Sequence, residues 1–165
     1  MKYFFILLTS LIFLSGCSSR NAFDEFKMDK DQELSISSLQ SAKIISSDGK
    51  INGVFSAIYL NEVYPDSFND GEYFFIYMYQ KEPKELYDPK ELKETGLSVK
   101  LNSKLPVKLK ELPRENIFSH LISIKSDWNR YYILAFLKEK KENLNLVLES
   151  DPSSSADLKY QKGEQ

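Results

Sequence analysis

The stretch Tyr73-Phe74-Phe75-Ile76-Tyr77-Met78-Tyr79 constrains the fold more than any other part of the chain. Side chains alternate between the two faces of a strand, and here neither face is polar, so a strand in this place must be covered on both sides. That predicts a central position in a sheet. Phe74, Ile76 and Met78 share one face, while Tyr73, Phe75, Tyr77 and Tyr79 share the other. A face made mostly of tyrosine is not a dry core. It is half-exposed, covered by another segment, or part of an interface. Tyr131 to Leu137 repeats the two-sided apolar pattern and predicts a second central strand.

Around these two strands the chain reads as short extended segments separated by turns. Leu34 to Ile45 alternates loosely, Ser47-Asp48-Gly49-Lys50 carries the Asp-Gly signal of a hairpin turn, and Ile51 to Val63 continues as a long strand. Gly53 marks a bulge. Tyr64 to Gly71 is a loop of turn formers. Residues 81–96 are a charged excursion, with one or two helical turns expected between Pro89 and Thr95. Leu97–Leu101 and Leu105–Leu109 read as strands, with Val99, Leu101, Leu105, Val107 and Leu109 on one side and Lys100, Lys104, Lys108 and Lys110 on the other. Pro106 places this pair at an edge. Pro113 to Ser126 fits a short helix or an irregular crossover, and Ser126 to Asn129 a turn. Leu144, Leu146 and Leu148 form one apolar face. Leu158 and Tyr160 suggest a last edge strand. Seven to nine short strands without βαβ alternation predict an all-β fold, a sandwich or small barrel. An immunoglobulin-like β-sandwich with one or two short helical turns is the first expectation.

The N-terminus has a different character. Lys2 precedes an apolar run from Tyr3 to Leu14, which is too short to span a bilayer, where roughly 20 residues are needed. It has the length of a signal-peptide core. Leu14-Ser15-Gly16-Cys17 then resembles the lipobox of bacterial lipoproteins. The resemblance implies cleavage before Cys17, a thioether diacylglycerol on its sulfur and an acylated amine. Several acyl chains would make release from the membrane negligible. The organisation that follows is 1–16 signal peptide, 17–30 lipidated cysteine and tether, 31–162 a single domain and 163–165 a frayed tail. A first helix lying against the domain is the alternative for the tether. By the sorting rule of enterobacterial lipoproteins, Ser18 in place of an aspartate implies the outer membrane. The periplasmic or surface orientation stays open.

Composition then narrows the chemistry. The formal net charge is −2, against the strongly basic surface that nucleic acid requires. Cys17 is the only cysteine, so once it is lipidated no disulfide or thiolate metal site can form. His120 is the only histidine, in an apolar patch, and reads as a structural or surface residue. Asp66-Ser67-Phe68-Asn69-Asp70-Gly71 places Asp, Asp and Gly like a calcium loop. Phe68 and Tyr77, however, fall where oxygen ligands belong, so it reads as a plain loop. The lysines at 100, 104, 108 and 110 could face anionic headgroups, but a solvated strand face is the simpler reading. No catalytic residue, metal site or cofactor other than the lipid on Cys17 is expected.

Aromatic and arginine residues are enriched at binding hot spots. Tyr73, Tyr77, Tyr79, Trp128, Arg130 and Tyr132 are therefore the candidate partner surface, with self-association as the simplest partner. Leu60-Asn61-Glu62-Val63-Tyr64-Pro65, Asp70-Gly71-Glu72-Tyr73-Phe74-Phe75 and Asp127-Trp128-Asn129-Arg130-Tyr131-Tyr132 together resemble small lipoproteins of Campylobacter and Helicobacter relatives, at least one with a variant immunoglobulin-like fold. The likeness spans most of the mature chain and implies no catalytic residues. The expected function is a lipid-anchored envelope protein whose domain binds a protein partner or itself. The alternative is an envelope enzyme acting on glycans through a carboxylate pair. A weaker third reading is a carrier of apolar ligands in a barrel interior.

Overall fold

The computed structural model describes residues 30–90, 97–123, 125–150 and 154–163. Their elements run α1 (Lys30–Ser38), β1 (Leu39–Ile45), β2 (Ile51–Tyr59), α2 (Leu60–Val63), β3 (Gly71–Gln80), β4 (Leu97–Leu101), β5 (Lys108–Leu112), a 3-10 turn (Ser119–Leu121), β6 (Arg130–Leu137), β7 (Asn143–Ser150) and β8 (Ser154–Gln161). The fold is all-β in its framework. The strands make one antiparallel ladder in the order β4-β7-β8-β1-β2-β3-β6-β5. As expected, β3 is central, between β2 and β6, and β6 is flanked on both sides.

The ladder has a weak seam. β1 and β8 share one residue pair, Ile45 with Ser155. Farther along, the Gln40 side chain replaces the missing backbone pairing. Its amide nitrogen donates to the Lys159 carbonyl, and its oxygen accepts from the Lys159 N–H at 2.9 Å. At this seam the three-stranded arm β4-β7-β8 turns to face the five-stranded arm β1-β2-β3-β6-β5. Phe55 and Ala57 of β2, Phe74, Ile76 and Met78 of β3, and Leu134 and Phe136 of β6 meet Leu101 of β4, Leu144, Leu146 and Leu148 of β7 and Leu158 of β8 in the main core. Tyr160 ties the arms directly, its hydroxyl donating to the Ala57 carbonyl at 2.7 Å.

The tyrosine face of β3 is covered over its middle, with Tyr73 and Tyr77 half-buried and Tyr79 at the end of the strand left 37% exposed. α1, α2 and the segment 113–122 lie over it and bury Ile58, Leu60, Val63, Phe75, Phe118, Leu121, Ile122 and Tyr131. α1 docks through serines rather than an apolar stripe. Ser35 Oγ donates to the Leu121 carbonyl at 3.1 Å, and Ser38 Oγ accepts from the Tyr59 N–H at 3.1 Å. Segment 113–122 is the irregular crossover, with a single 3-10 turn.

The hairpin turn falls where Asp48-Gly49 placed it, with Gly49 at φ 77°. The bulge expected at Gly53 is present beside it: Ile44 pairs with Gly53 and Ile45 with Ile51, leaving Asn52 extra. Other expectations are corrected. The segment from Leu34 begins as helix, because Ser35 finds a partner on segment 113–122 and Ser38 on the end of β2. β2 ends at Tyr59, and Leu60–Val63 coil into α2, burying Leu60 and Val63. Leu105 and Val107 are exposed in a connection, and β5 starts only at Lys108. The cause is a tight turn at Asn102-Ser103, both with positive φ, which ends β4 and reverses the chain. β4 and β5 do form the two ends of the ladder, in keeping with Pro106. β8 is not an edge, since β7 and β1 flank it. Residues 1–29, with Cys17 and the signal segment, lie outside the described residues, as does most of the stretch from Pro89 to Thr95.

Candidate functional site

The six residues expected to form a partner surface divide into three groups. Tyr79 and Trp128 come together. Tyr79, at the far end of β3, is 37% exposed, and Trp128, in the turn before β6, is 80% exposed. They line a cleft of about 340 Å³ with Ser126 and Asn129. Val54 pairs with Tyr79 across β2 and β3 and extends the apolar ledge. The turn is built from below. Tyr131 is buried under the covering layer, and its hydroxyl donates to the Ser126 carbonyl and accepts from the Ser126 N–H, both at 3.0 Å. Ser126 Oγ then accepts from the Trp128 N–H at 3.2 Å. The indole is thus held outward by a braced turn.

Tyr73 and Tyr77 are half-buried. Tyr73 packs on Phe68 with ring centres 5.0 Å apart and donates to Asp70, while Tyr77 lies between Phe75 and Tyr131. Arg130 is committed to the fold. It makes a bidentate pair with Glu111 at 2.9 and 2.8 Å, donates to the Lys84 carbonyl, and lies 5.5 Å from the Tyr132 ring centre. Glu111 holds its pKa above the usual guanidinium value. Tyr132 corrects the expectation. It is 1% exposed and belongs to the main core, because Tyr131 and Tyr132 are consecutive on a strand and face opposite sides. Its burial pushes the hydroxyl pKa up.

A polar constellation that was not foreseen closes one end of the space between the arms. Tyr59, Glu72, Lys138, Glu142 and Lys162 line a cavity of about 430 Å³ together with Asn61, Glu62 and Gln161. Glu72 is 1% exposed. Its carboxylate accepts from the Tyr59 hydroxyl, the Lys162 ammonium and the Glu139 N–H, the last at 2.8 Å. Lys162 also donates to the Glu139 carbonyl at 2.5 Å. Glu139 pairs in turn with Lys104 at 2.5 Å, which holds its pKa below the usual carboxylate value. Burial, and then the Glu72 carboxylate, push the Tyr59 hydroxyl pKa up. With three donors on its oxygens, Glu72 is a strut rather than an available base. Glu62 and Glu142 have side chains without a hydrogen-bond or ion-pair partner among the described residues. The signal for this site was present in the strand period. Glu72 shares its face with Phe74, Tyr59 with Phe55 and Ala57, and Lys162 with Leu158 and Tyr160.

The remaining sequence candidates are scattered. His120 is exposed and its Nε2 lies 2.6 Å from the Tyr64 hydroxyl. In the loop compared with a calcium site, Phe68 packs among Tyr64, Tyr73 and Phe118, and Asp70 accepts from Tyr73. Lys100 pairs with Glu149 at 2.5 Å, whereas Lys108 and Lys110 have no ion-pair partner among the described residues. No family model, curated protein or solved structure matches the chain.

Proposed function

We propose that this protein is a lipid-anchored component of the bacterial envelope, held through Cys17 in the outer membrane, whose domain binds a protein partner or a second copy of itself. The observation that carries the binding role is Trp128. A braced turn holds this indole 80% exposed, next to Tyr79 and Val54. Large aromatic side chains of this kind, kept in water by a rigid support, are typical of binding hot spots. The anchor rests on the lipobox resemblance at Leu14–Cys17. The finer fold class, an immunoglobulin-like sandwich of variant connectivity, belongs to the same proposal. Two facing arms with a shared apolar core support it.

The test is a photo-crosslinking amino acid placed at Trp128, and separately at Tyr79, in cells. A discrete adduct from both positions, absent when the probe sits at exposed Ile36 on α1, is the expected result. No discrete adduct, or the same pattern from all three, overturns the binding role. Incorporation of labelled palmitate that disappears in Cys17→Ala checks the anchor separately.

The competing reading, an envelope enzyme acting on glycans, would have to use Glu62 and Glu142. These are the lining carboxylates without partners among the described residues. Loss of a glycan-cleaving activity in both Glu62→Gln and Glu142→Gln, with the fold intact, would favour it over the binding role.

A further inference from the structure

The outer face of the five-stranded arm carries a second apolar feature, at the opposite end from Trp128. It is a groove of about 320 Å³. Strand register explains its shape. Tyr73 of β3, Ala135 of β6 and Lys108 of β5 form one cross-strand row, and Phe75, Ile133 and Lys110 form the next. Ala135 is the small member of its row, so the surface dips between Tyr73 and Lys108. Phe68 walls the dip on one side, and Ile117 with Phe118 on another. The walls are braced, since Phe68 packs against Tyr73 at 5.0 Å and Phe118 at 6.2 Å between ring centres. Ile117 at 77% and Leu137 at 67% exposure continue the apolar surface beyond the dip.

The rim is cationic. Lys108 and Lys110 stand side by side on the outer face of β5, without an ion-pair partner among the described residues. Of the neighbouring acids, Glu111 pairs with Arg130, Glu115 with Arg114 and Lys125, and Asp70 accepts from the Tyr73 hydroxyl on the far side of the dip from β5. A braced apolar slot beside two uncompensated ammonium groups complements one kind of ligand. It needs a narrow apolar body and a negative head. The slot is concave and walled, which suits a single chain better than the flat surface of a bilayer.

We propose that this groove binds a single acyl chain bearing an anionic head group. The chain lies over Ala135 and Ile133, and the head lies between Lys108 and Lys110. This is an outer-face site rather than the barrel-interior site considered from sequence, and it does not depend on the Trp128 ledge.

The probe is dodecanoate, below its micelle concentration, titrated calorimetrically into the chain from residue 17 onward carrying Cys17→Ala. Saturable one-to-one binding is expected. The double variant Lys108→Gln/Lys110→Gln should weaken it about tenfold, consistent with two partly exposed ion pairs. Dodecyltrimethylammonium should bind at least about tenfold more weakly than dodecanoate, because like charges meet at the rim. Ala135→Phe should fill the dip and abolish binding, with Ala135→Leu as a milder variant whose melting temperature confirms the fold. Absence of saturable dodecanoate binding overturns the proposal. So does equal affinity for the cationic amphiphile. Flotation with anionic phospholipid vesicles in the absence of any stoichiometric dodecanoate site also overturns it, and identifies the lysines as a membrane contact instead.

Discussion

Replacing Lys162 by Met tests whether the ionic strut at the cavity end holds the two arms together. Glu72 is 1% exposed, and its Lys162 partner has a side chain 22% exposed. Removing one partner of a buried pair costs about 3–5 kcal/mol because the remaining charge is left without compensation. Here two donors remain on Glu72, the Tyr59 hydroxyl and the Glu139 N–H, and Lys162 is not fully desolvated. The expected loss is therefore lower, about 2–3 kcal/mol. For a domain of this size that is a fall in melting temperature of roughly 10 °C. Urea unfolding should show a lower midpoint with an unchanged slope. A double-mutant cycle with Glu72→Gln isolates the pair. Once the carboxylate is neutral, Lys162→Met should cost at least about 1 kcal/mol less than it does in the parent chain. Lys100→Met is the control. Its pair with Glu149 reaches solvent at both ends, at 33% and 47% exposure, and its loss should stay below about 1 kcal/mol. A cost under about 0.5 kcal/mol for Lys162→Met, or strict additivity in the cycle, refutes the strut.

Three further outcomes follow from the same geometry. Ser103 has φ 69° in the two-residue turn after β4, a conformation that favours glycine, so Ser103→Gly should raise stability by about 0.5–1 kcal/mol in urea unfolding. A side chain at Gly53 would collide with the Tyr79 carbonyl of the neighbouring strand, so Gly53→Ala should cost about 1–3 kcal/mol by the same assay. Burial pushes the hydroxyls of Tyr59, Tyr132 and Tyr160 above their ordinary value of 10. Their contribution is therefore complete below about pH 10. Above it the unfolded chain loses these protons first, and stability falls by about 1.4 kcal/mol per pH unit for each tyrosine. Stability from urea unfolding, measured from pH 9 to 11.5, should be flat and then drop steeply, and Tyr132→Phe should lessen that fall by about 1.4 kcal/mol per pH unit.

What the sequence made legible was whatever rested on period and turn chemistry. The run from Tyr73 to Tyr79 and the Asp48-Gly49 turn placed β1, β2 and β3, since a two-sided apolar strand has nowhere to go but the middle of a sheet. The start of β5 is not legible, because Leu105, Val107 and Leu109 alternate as cleanly as a real strand. The reversal at Asn102-Ser103 uses no glycine, and it outranks the alternation. Gln40 joining two strands through its side chain leaves no periodic trace, so the seam could not be read. The surface expectation for Tyr132 rests on residue type alone, whereas strand parity with Tyr131 puts the two on opposite faces. The same parity, applied to Glu72 and Lys162, puts two charges of opposite sign on core faces. Such a placement is tolerable only if they meet.

The two ends of the domain differ in how freely they can accept a ligand. At the cavity end, Tyr59, Glu72, Glu139 and Lys162 satisfy one another, and a ligand that displaced Lys162 would first have to offset a cost of about 2–3 kcal/mol. On the outer face no such network is in the way. Val54, Tyr79 and Trp128 at one end, and Ile117, Ala135 and Leu137 at the other, are apolar groups already in water, so covering them releases free energy without breaking a bond. The covering layer of α1, α2 and segment 113–122 leaves both groups open to solvent, and its own Ile117 stands 77% exposed beside the second. The proposed binding therefore fits the outer face, and substitutions of exposed Trp128, Ile117 and Leu137 should alter ligand or partner affinity while changing stability by less than about 0.5 kcal/mol.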